Sequence, residues 1–253
     1  MINYPESFYS SVSKRAIESS KIIAQVLQEV INPRSIIDIG SGEGIWLNTI
    51  GRCFPSVKSL TALDLQVHIS KHFDELTQMK ADFKFIERNF ELDCSLPNEK
   101  YDLAICLEVL EHLQKQTAEL LVREISRKTS VIVFSAAMKG QGGTGHINEN
   151  SLDYWVELLA SNGFIPLDVF RNKLKISKSV PDYYKQNLIL FWHPENCRRN
   201  GTNFDLEKLL INNPMKISDN RSYLKRIRYF LTSIIPPKYV TLLVVALDKS
   251  VRR

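Results

Sequence analysis

The sequence has 253 residues, of which 44% are hydrophobic and 24% charged, with a formal net charge of +5. That composition is typical of a globular protein and excludes a disordered or collagen-like chain. The longest apolar run, residues 239–247, is too short to cross a bilayer as a helix.

Hydrophobic periodicity predicts short apolar strands that alternate with helices. The predicted elements are a helix at 10–30, a strand at 35–39, a helix at 44–53, a strand at 59–65, a helix at 68–80, strands at 82–87 and 103–107, a helix at 115–127, a strand at 130–136, a helix at 152–162 and an edge strand at 188–192. This alternation predicts a doubly wound, mostly parallel α/β sheet. Ligands of such sheets lie beyond the carboxyl ends of the strands.

We expect one domain over residues 1–193, followed by a basic and apolar helical extension over residues 194–253. The four cysteines form neither a CxxC pair nor a cluster at zinc spacing, and residues 1–15 lack the pattern of a secretory signal. Free thiols and a cytoplasmic location follow as expectations.

The first predicted strand runs into a glycine-rich turn, DIGSGEG, at residues 38–44. Glycines there let a ligand approach the backbone closely. The GxGxG spacing differs from the GxGxxG of dinucleotide-binding proteins, and Asp38 would repel a pyrophosphate but suits a cationic amino group. A second acid, Asp64, ends the next strand, 20 residues after Gly44, where an acid can bind ribose hydroxyls. No GxxxxGK[ST] motif occurs, which excludes a P-loop.

In this order, the motifs resemble those of the class I S-adenosylmethionine-dependent methyltransferases. IIDIGSGEG is similar to the first motif of that family, ALD to the second, and YDLAICLEVLEHL (residues 101–113) to the motif of the fourth strand, which ends in E-x-x-x-H. RNF, residues 88–90, stands where the family commonly has an acid and an apolar residue beside adenine. The resemblance covers about residues 12–190, and its first and fourth motifs are the specific ones.

The resemblance implies S-adenosylmethionine as the cofactor. Three glycines would lie against its methionine part, Asp38 would contact its amino group and Asp64 would hold its ribose. The residues implied for cofactor binding are Asp38, Gly40, Gly42, Gly44, Asp64, Asn89, Phe90, Glu108 and Val109.

A second glycine-rich stretch, AAMKGQGGTGHINENSLDYW, follows the fifth predicted strand at residues 136–155. Acceptors bind at this place in the fold, and a hydroxyl acceptor must lose a proton, for which a histidine is suited. His146 is the predicted catalytic base; the alternative is that it only orders the loop. The stretch resembles GxGHxNE…YW in a bacterial subgroup of the family, which implies further acceptor-side residues: Asn148, Glu149, Tyr154 and Trp155. His112, from the motif of the fourth strand, is a further candidate for the acceptor side.

Some of these residues have a structural alternative. His112 could equally be a buried imidazole that braces the helix, and Trp155 could pack under the sheet. His146, Glu149 and Glu108 could together bind a metal, but no ligand spacing demands one, so no metal site is expected.

The expected function is O-methylation of a sugar, a surface-polysaccharide precursor or another small molecule in a bacterium. A lipid, quinone-type or nucleic-acid acceptor stays open, as does a cofactor-binding protein without transferase activity. The GxGxG spacing and Asp38 disfavour an NAD-dependent oxidoreductase.

Residues 221–253 contain eight Lys and Arg and a single acid, interleaved with apolar side chains. Such a segment can be a solvated helix pair or a peripheral contact with anionic lipid at the inner face of the membrane. Nucleic acid is disfavoured as a partner, since the net charge is only +5 and no run of aromatic residues suggests base stacking. The sequence does not indicate an oligomeric state.

Overall fold

In the computed structural model, the described residues are 6–65, 71–200 and 202, and they form one seven-stranded sheet with helices on both faces. The strands are β1 (Ser35–Ile39), β2 (Ser59–Asp64), β3 (Asp82–Glu87), β4 (Tyr101–Leu107), β5 (Thr129–Ser135), β6 (Ile165–Leu167) and β7 (Ile189–Trp192). The helices are α1 (Glu6–Gln28), α2 (Ile45–Cys53), α3 (Lys71–Thr77), α4 (Lys115–Lys128), α5 (Leu152–Ala160), α6 (Arg171–Leu174), α7 (Tyr184–Asn187) and α8 (Pro194–Asn200). A single 3-10 turn, Leu110–His112, follows β4.

The strand order is β3-β2-β1-β4-β5-β7-β6, with β1 to β5 parallel and β7 antiparallel to both of its neighbours. This arrangement confirms the predicted doubly wound, mostly parallel sheet. Every residue of β4 and β5 is buried, as expected for central parallel strands covered by helices on both faces.

Two details of the sheet differ from the prediction. Residues 188–192 were expected at the edge, but β7 lies between β5 and β6, so its backbone pairs on both sides. The strand at this edge is β6, whose three residues include Pro166 and are too few to show a periodic pattern in the sequence.

The strand order reverses between β1 and β4. In β1, Asp38 is paired with Ala62 of β2 on one side and with Ile105 of β4 on the other. The carboxyl ends of these strands therefore open onto one crevice, where parallel α/β sheets bind ligands.

The described fold continues past residue 193. Helix α8 packs against the starts of β4 and β5, and the buried Asn196 side chain donates to the backbone carbonyls of Ser126 and Thr129 at 2.6 and 2.7 Å. The predicted domain boundary at 193/194 stays a prediction, and residues 221–253 lie outside the described residues. Among the described helices, none has the length and hydropathy required to span a bilayer.

Candidate functional site

Asp38, the fourth residue of β1, is a carboxylate held almost entirely out of water. Its side chain is 3% exposed, and Oδ2 has no hydrogen-bond partner among the described residues. Burial and then the charge of Asp64 raise the pKa of Asp38 to about 8, opposed by a hydrogen bond from the backbone of Leu47. Leu47 lies in the first turn of α2, whose N-cap is Gly44, so Asp38 caps a helix that has no capping side chain of its own. One oxygen of Asp38 is left for a ligand.

The glycine turn after β1 brings Asp64 next to the same crevice. Oδ2 of Asp64 accepts a hydrogen bond from the backbone N–H of Gly42 at 2.7 Å, and Oδ1 accepts one from Leu65 at 2.7 Å. The N–H groups of Gly40 and Ser41 both donate to the carbonyl of Leu63 in β2. These bonds fix the turn against the end of β2.

Gly40 and Gly42 lie on different sides of the turn, one packed and one open. At Gly40, with φ of +72°, an added Cβ would lie 2.4 Å from Cγ2 of Val109, so Val109 packs directly onto the turn. At Gly42, with φ of +52°, an added Cβ would meet nothing within 4 Å. The open side of the turn therefore lies at Gly42, and Val109 forms part of its packed side.

Asn89 and Phe90 follow β3 at the neighbouring position of the same sheet edge. Asn89 is exposed, and its Oδ1 accepts from the backbone N–H of Glu91 at 3.1 Å. Phe90 is 7% exposed and packs in the cluster of apolar side chains on the face of the sheet that α4 and α5 cover. The structure thus places Asn89 in a turn and Phe90 in the core below it.

Glu108 is the first residue after β4, and it has φ of +57°, the only positive φ of a non-glycine residue in the described chain. This conformation is costly for a residue with a Cβ, and such strain often marks a functional position. Glu108 accepts from Nε2 of Gln141 at 2.8 Å and from Nδ2 of Asn187 at 3.0 Å. Burial raises the pKa of Glu108, while the hydrogen bonds from Gln141 and Asn187 oppose that rise.

The second glycine-rich loop is organised around Glu149. One carboxylate oxygen accepts from the N–H of Gly140 at 2.9 Å, and the other accepts from the N–H of Gly142 at 2.8 Å and from Nδ1 of His146 at 2.9 Å. The side chains of His146 and Glu149 are each 12% exposed. Glu149 therefore orders the loop and fixes the orientation of the His146 ring, with its proton on Nδ1.

The His146 ring meets two residues of the 3-10 turn. Its centroid lies 4.8 Å from that of His112, with the ring planes at 81°. Glu111 is completely buried; its Oε1 accepts from the backbone N–H of Ala137 at 3.0 Å, while Oε2 has no partner among the described residues. Burial, together with the charge of Glu108, raises the pKa of Glu111 well above its ordinary value. Although His112 is exposed as a residue, partial burial of its ring and then the proximity of His146 lower its pKa.

Comparisons with known proteins agree with this geometry. A family model described as a methyltransferase domain matches residues 13–137, which include both acids, the glycine turn and the 3-10 turn. Residues 13–137 are thus a methyltransferase domain, in agreement with the motifs that resemble the class I S-adenosylmethionine-dependent methyltransferases. No curated protein sequence matches it.

Solved structures share the methyltransferase fold. An assigned O-methyltransferase of Nostoc punctiforme PCC 73102 is 15% identical with a TM-score of 0.52, over 69% of this chain and 56% of that one. The magnesium protoporphyrin IX methyltransferase of Synechocystis PCC 6803, solved with S-adenosylhomocysteine, is 14% identical with a TM-score of 0.54, over 76% of this chain and 90% of that one. The small RNA methyltransferase HEN1 is 11% identical with a TM-score of 0.52, over 70% and 25% of the chains.

At these identities the solved structures show the fold of this protein and not its substrate. The chain spans little more than half of the Nostoc protein and a quarter of HEN1.

Two residues that the sequence assigned to the acceptor side lie elsewhere in the structure. Trp155 is 1% exposed and packs against Phe134 of β5, so it belongs to the core and does not line the site. Tyr154 faces α4, where its hydroxyl donates to Glu119 at 3.4 Å and Lys115 lies over its ring. Trp155 therefore lies on the face of α5 that packs on the sheet, and Tyr154 lies on the face towards α4.

Asn148 has a supporting role in the structure. Its side chain is buried and donates to the carbonyl of Leu110 at 3.2 Å, and the N–H groups of Ile147 and Asn148 both donate to the carbonyl of Glu111. Asn148 thereby attaches the glycine-rich loop to the 3-10 turn and brings His146 beside His112.

Three residues at the site were missed in the sequence: Glu111, Gln141 and Asn187. The signal for Glu111 was available, since an acid inside the apolar run VLEHL must be buried or turned towards a site. Gln141 and Asn187 carried no signal, because only the tertiary fold brings residues 33 and 79 positions away to Glu108.

Proposed function

We propose that this protein transfers the methyl group of S-adenosylmethionine to a hydroxyl of a small molecule. The observation that carries the proposal is the buried Asp38, whose Oδ2 has no partner and faces no compensating cation among the described residues. A buried carboxylate is costly unless it is paired, and a cationic amino group in the crevice would supply the missing partner.

The rest of the crevice fits the same cofactor. Asp64 lies beside the glycine turn with both oxygens already accepting one backbone N–H each, and each oxygen can accept a further hydrogen bond from a ribose hydroxyl. The open space at Gly42 leaves room for a ligand to lie against the backbone. Asn89 and Phe90, at the end of the neighbouring β3, are the proposed adenine side.

The chemistry places few demands on the protein, since the cofactor brings a methyl group already activated on a sulfonium. The protein must hold the acceptor oxygen in line with that methyl and exclude competing water. Val109, which packs on Gly40, lies at the junction between the cofactor turn and the residues of the acceptor side.

The acceptor side is polar and suited to hydroxyl groups. Glu108 and Asn187 form a hydrogen-bonded pair, and Oδ1 of the buried Asn187 has no partner among the described residues, so it can accept from an acceptor hydroxyl. His146, oriented by Glu149, is the proposed group for removal of the hydroxyl proton.

We propose a sugar, a surface-polysaccharide precursor or a similarly hydroxylated small molecule as the acceptor, methylated in the cytoplasm. The polar lining supports this class. The Nostoc protein is described as an O-methyltransferase, and the Synechocystis protein as a methyltransferase of a small molecule, magnesium protoporphyrin IX, and both descriptions are in keeping with the proposal.

The test is incubation of the full-length protein with methyl-labelled S-adenosylmethionine and a bacterial small-molecule extract, followed by mass spectrometry. Labelled O-methylated products that depend on the protein support the proposal. Label on nitrogen, on RNA or on lipid alone would redirect it to another acceptor, and cofactor binding without any transfer would indicate a binding protein.

A further inference from the structure

Three side chains with metal-ligand chemistry converge next to the proposed acceptor site: Glu111 and His112 from the 3-10 turn and His146 from the second glycine-rich loop. One ligand atom from each, two imidazole nitrogens and a carboxylate oxygen, lie within 4.8 Å of one another. We propose that these three residues bind one divalent transition-metal cation, and that this cation binds and activates the acceptor hydroxyl.

The spacing of the three atoms fits a cation with little movement. Bond lengths of about 2.0–2.2 Å place the ligand atoms of a tetrahedral or octahedral ion roughly 3–4 Å apart, so the side chains need to close by about an ångström. His112 is exposed and can make that adjustment, while Glu111 is fixed by its hydrogen bond from Ala137.

The buried oxygen of Glu111 is an independent sign of a missing ligand. Glu111 is fully buried, and its Oε2 has no hydrogen-bond partner among the described residues. A carboxylate in such a place is unfavourable without a compensating charge. Glu108, whose charge acts on Glu111, adds further negative potential to the same place.

Both imidazoles are oriented as ligands commonly are. Nδ1 of His146 is hydrogen-bonded to Glu149 at 2.9 Å, and Nδ1 of His112 lies 3.3 Å from the carbonyl oxygen of Gly145. A proton on each Nδ1 leaves the lone pair on Nε2, and a carboxylate or carbonyl behind the ring is the usual support of a metal-binding histidine. Gly143 packs against the His146 ring, where an added Cβ would lie 2.3 Å from both Cε1 and Nε2.

Two nitrogens and one oxygen select the class of cation. Mg²⁺ and Ca²⁺ prefer all-oxygen sites, whereas imidazole with carboxylate suits Zn²⁺, Mn²⁺, Fe²⁺ or Co²⁺. Three protein ligands leave at least one position open for an acceptor oxygen. This ligand set differs from the sequence-based alternative of His146, Glu149 and Glu108. In the structure, Glu149 accepts hydrogen bonds from the loop and Glu108 accepts one from Asn187.

The cation's role rests on the proposed function, although its binding does not. Binding to the cation would acidify the acceptor hydroxyl, whose proton leaves to water at the exposed His112 side. The oxygen then forms a bond to the methyl carbon while the carbon–sulfur bond breaks, and its electron pair stays on sulfur as a neutral thioether. With the cation bound, His146 would hold it as a ligand; without a cation, His146 keeps the role of base proposed above.

The test uses the full-length protein after removal of metals with a chelator, titrated with Co²⁺ and monitored by visible absorption, with Zn²⁺ and Mg²⁺ as competitors. We expect one Co²⁺ per chain, displaced by Zn²⁺ and not by an equal concentration of Mg²⁺. His112→Ala and His146→Ala should each weaken binding by at least about 100-fold, and Glu149→Gln by about 10–100-fold through loss of the support behind His146.

The matched control is His193→Ala. His193 follows β7 at the opposite end of the sheet, where its N–H donates to Ser130, so this variant should bind Co²⁺ as the parent protein does. His112→Ala removes an exposed side chain, and circular dichroism together with S-adenosylhomocysteine binding shows whether each variant is folded. The site is refuted if the parent binds no stoichiometric Co²⁺, or if His112→Ala and His146→Ala bind Co²⁺ as tightly as the parent does.

Methyl transfer by the chelator-treated protein separates this inference from the proposed function. Transfer that stops without metal and returns with Zn²⁺, Mn²⁺ or Co²⁺ supports the cation's role. Equal transfer without metal refutes that role and leaves the proposed function standing. Co²⁺ binding at this site without methyl transfer to any acceptor would support the metal site and refute the proposed function.

Discussion

The side chain of Val109 packs directly on the α-carbon of Gly40, and this contact joins the cofactor turn after β1 to the acceptor side after β4. Gly40→Ala should cost about 2–4 kcal/mol of folding free energy, since it combines a positive φ with overpacking against Val109. Chemical denaturation measures this cost.

Gly42→Ala is the matched comparison. Its φ is also positive, but an added Cβ meets nothing within 4 Å, so the folding cost should be only about 1–2 kcal/mol. Because that Cβ enters the open side of the turn, we expect S-adenosylhomocysteine to bind more weakly. Val109→Ala should recover part of the stability that Gly40→Ala loses; no recovery would show that the contact is not the cause.

The folding stability of the protein should depend on pH because of Asp38. Its pKa is near 3.8 when unfolded and about 8 when folded, so the folded state keeps the proton more tightly. Ionisation is therefore unfavourable in the folded state, and Asp38 lowers stability progressively as the pH rises from about 4 to about 8.

Asp38→Asn removes this pH dependence and keeps an oxygen that can accept from Leu47. The melting temperature of the Asn variant relative to the parent should therefore increase between pH 5 and pH 8.5, measured by differential scanning calorimetry. A difference that is constant with pH would show that Asp38 titrates normally.

The acceptor side predicts a separation between binding and turnover. His146→Ala should lower kcat by ~10²–10⁴-fold, because the group that activates the acceptor hydroxyl is lost. The dissociation constant for S-adenosylhomocysteine should stay unchanged, because His146 lies on the loop after β5 and not at the glycine turn. His193→Ala is the active control. Full turnover by His146→Ala would show that His146 has no role in catalysis.

Residues 221–253 lie outside the described residues, and their contact with anionic membranes remains a prediction. Replacement of Lys225, Arg226 and Arg228 by Gln should reduce co-sedimentation of the full-length protein with vesicles that contain anionic lipid, and high salt should have the same effect. Equal co-sedimentation of parent and variant would favour a solvated helix pair.

Local sequence patterns were sufficient to predict most of the fold and the cofactor side. The apolar runs that became β1, β4 and β5 are buried on both faces, which makes their pattern strong, and Asp38 and Asp64 stand directly at strand ends. β6 was missed because three residues carry no periodicity, and the position of β7 could not be predicted because strand order depends on tertiary packing.

The acceptor side was predicted less completely for the same physical reason. His146 and Glu149 are three residues apart, so their contact is local, whereas the approach of His146 to Glu111 and His112 depends on how the loop docks on the 3-10 turn. Trp155 was assigned to the site by resemblance, but its large apolar surface is buried against Phe134.

The most direct test of the account is calorimetric titration of the full-length protein with S-adenosylhomocysteine, compared with Asp64→Ala and Asp64→Asn. We predict one binding site per chain in the parent. Binding should be weaker by at least about tenfold in Asp64→Ala, since the loss of a charge-assisted hydrogen bond costs about 1.5–3 kcal/mol. Asp64→Asn can still accept the hydrogen bond from Gly42, so its affinity for S-adenosylhomocysteine should lie between those of the parent and Asp64→Ala. No binding by the parent, or unchanged binding by Asp64→Ala, would contradict the account.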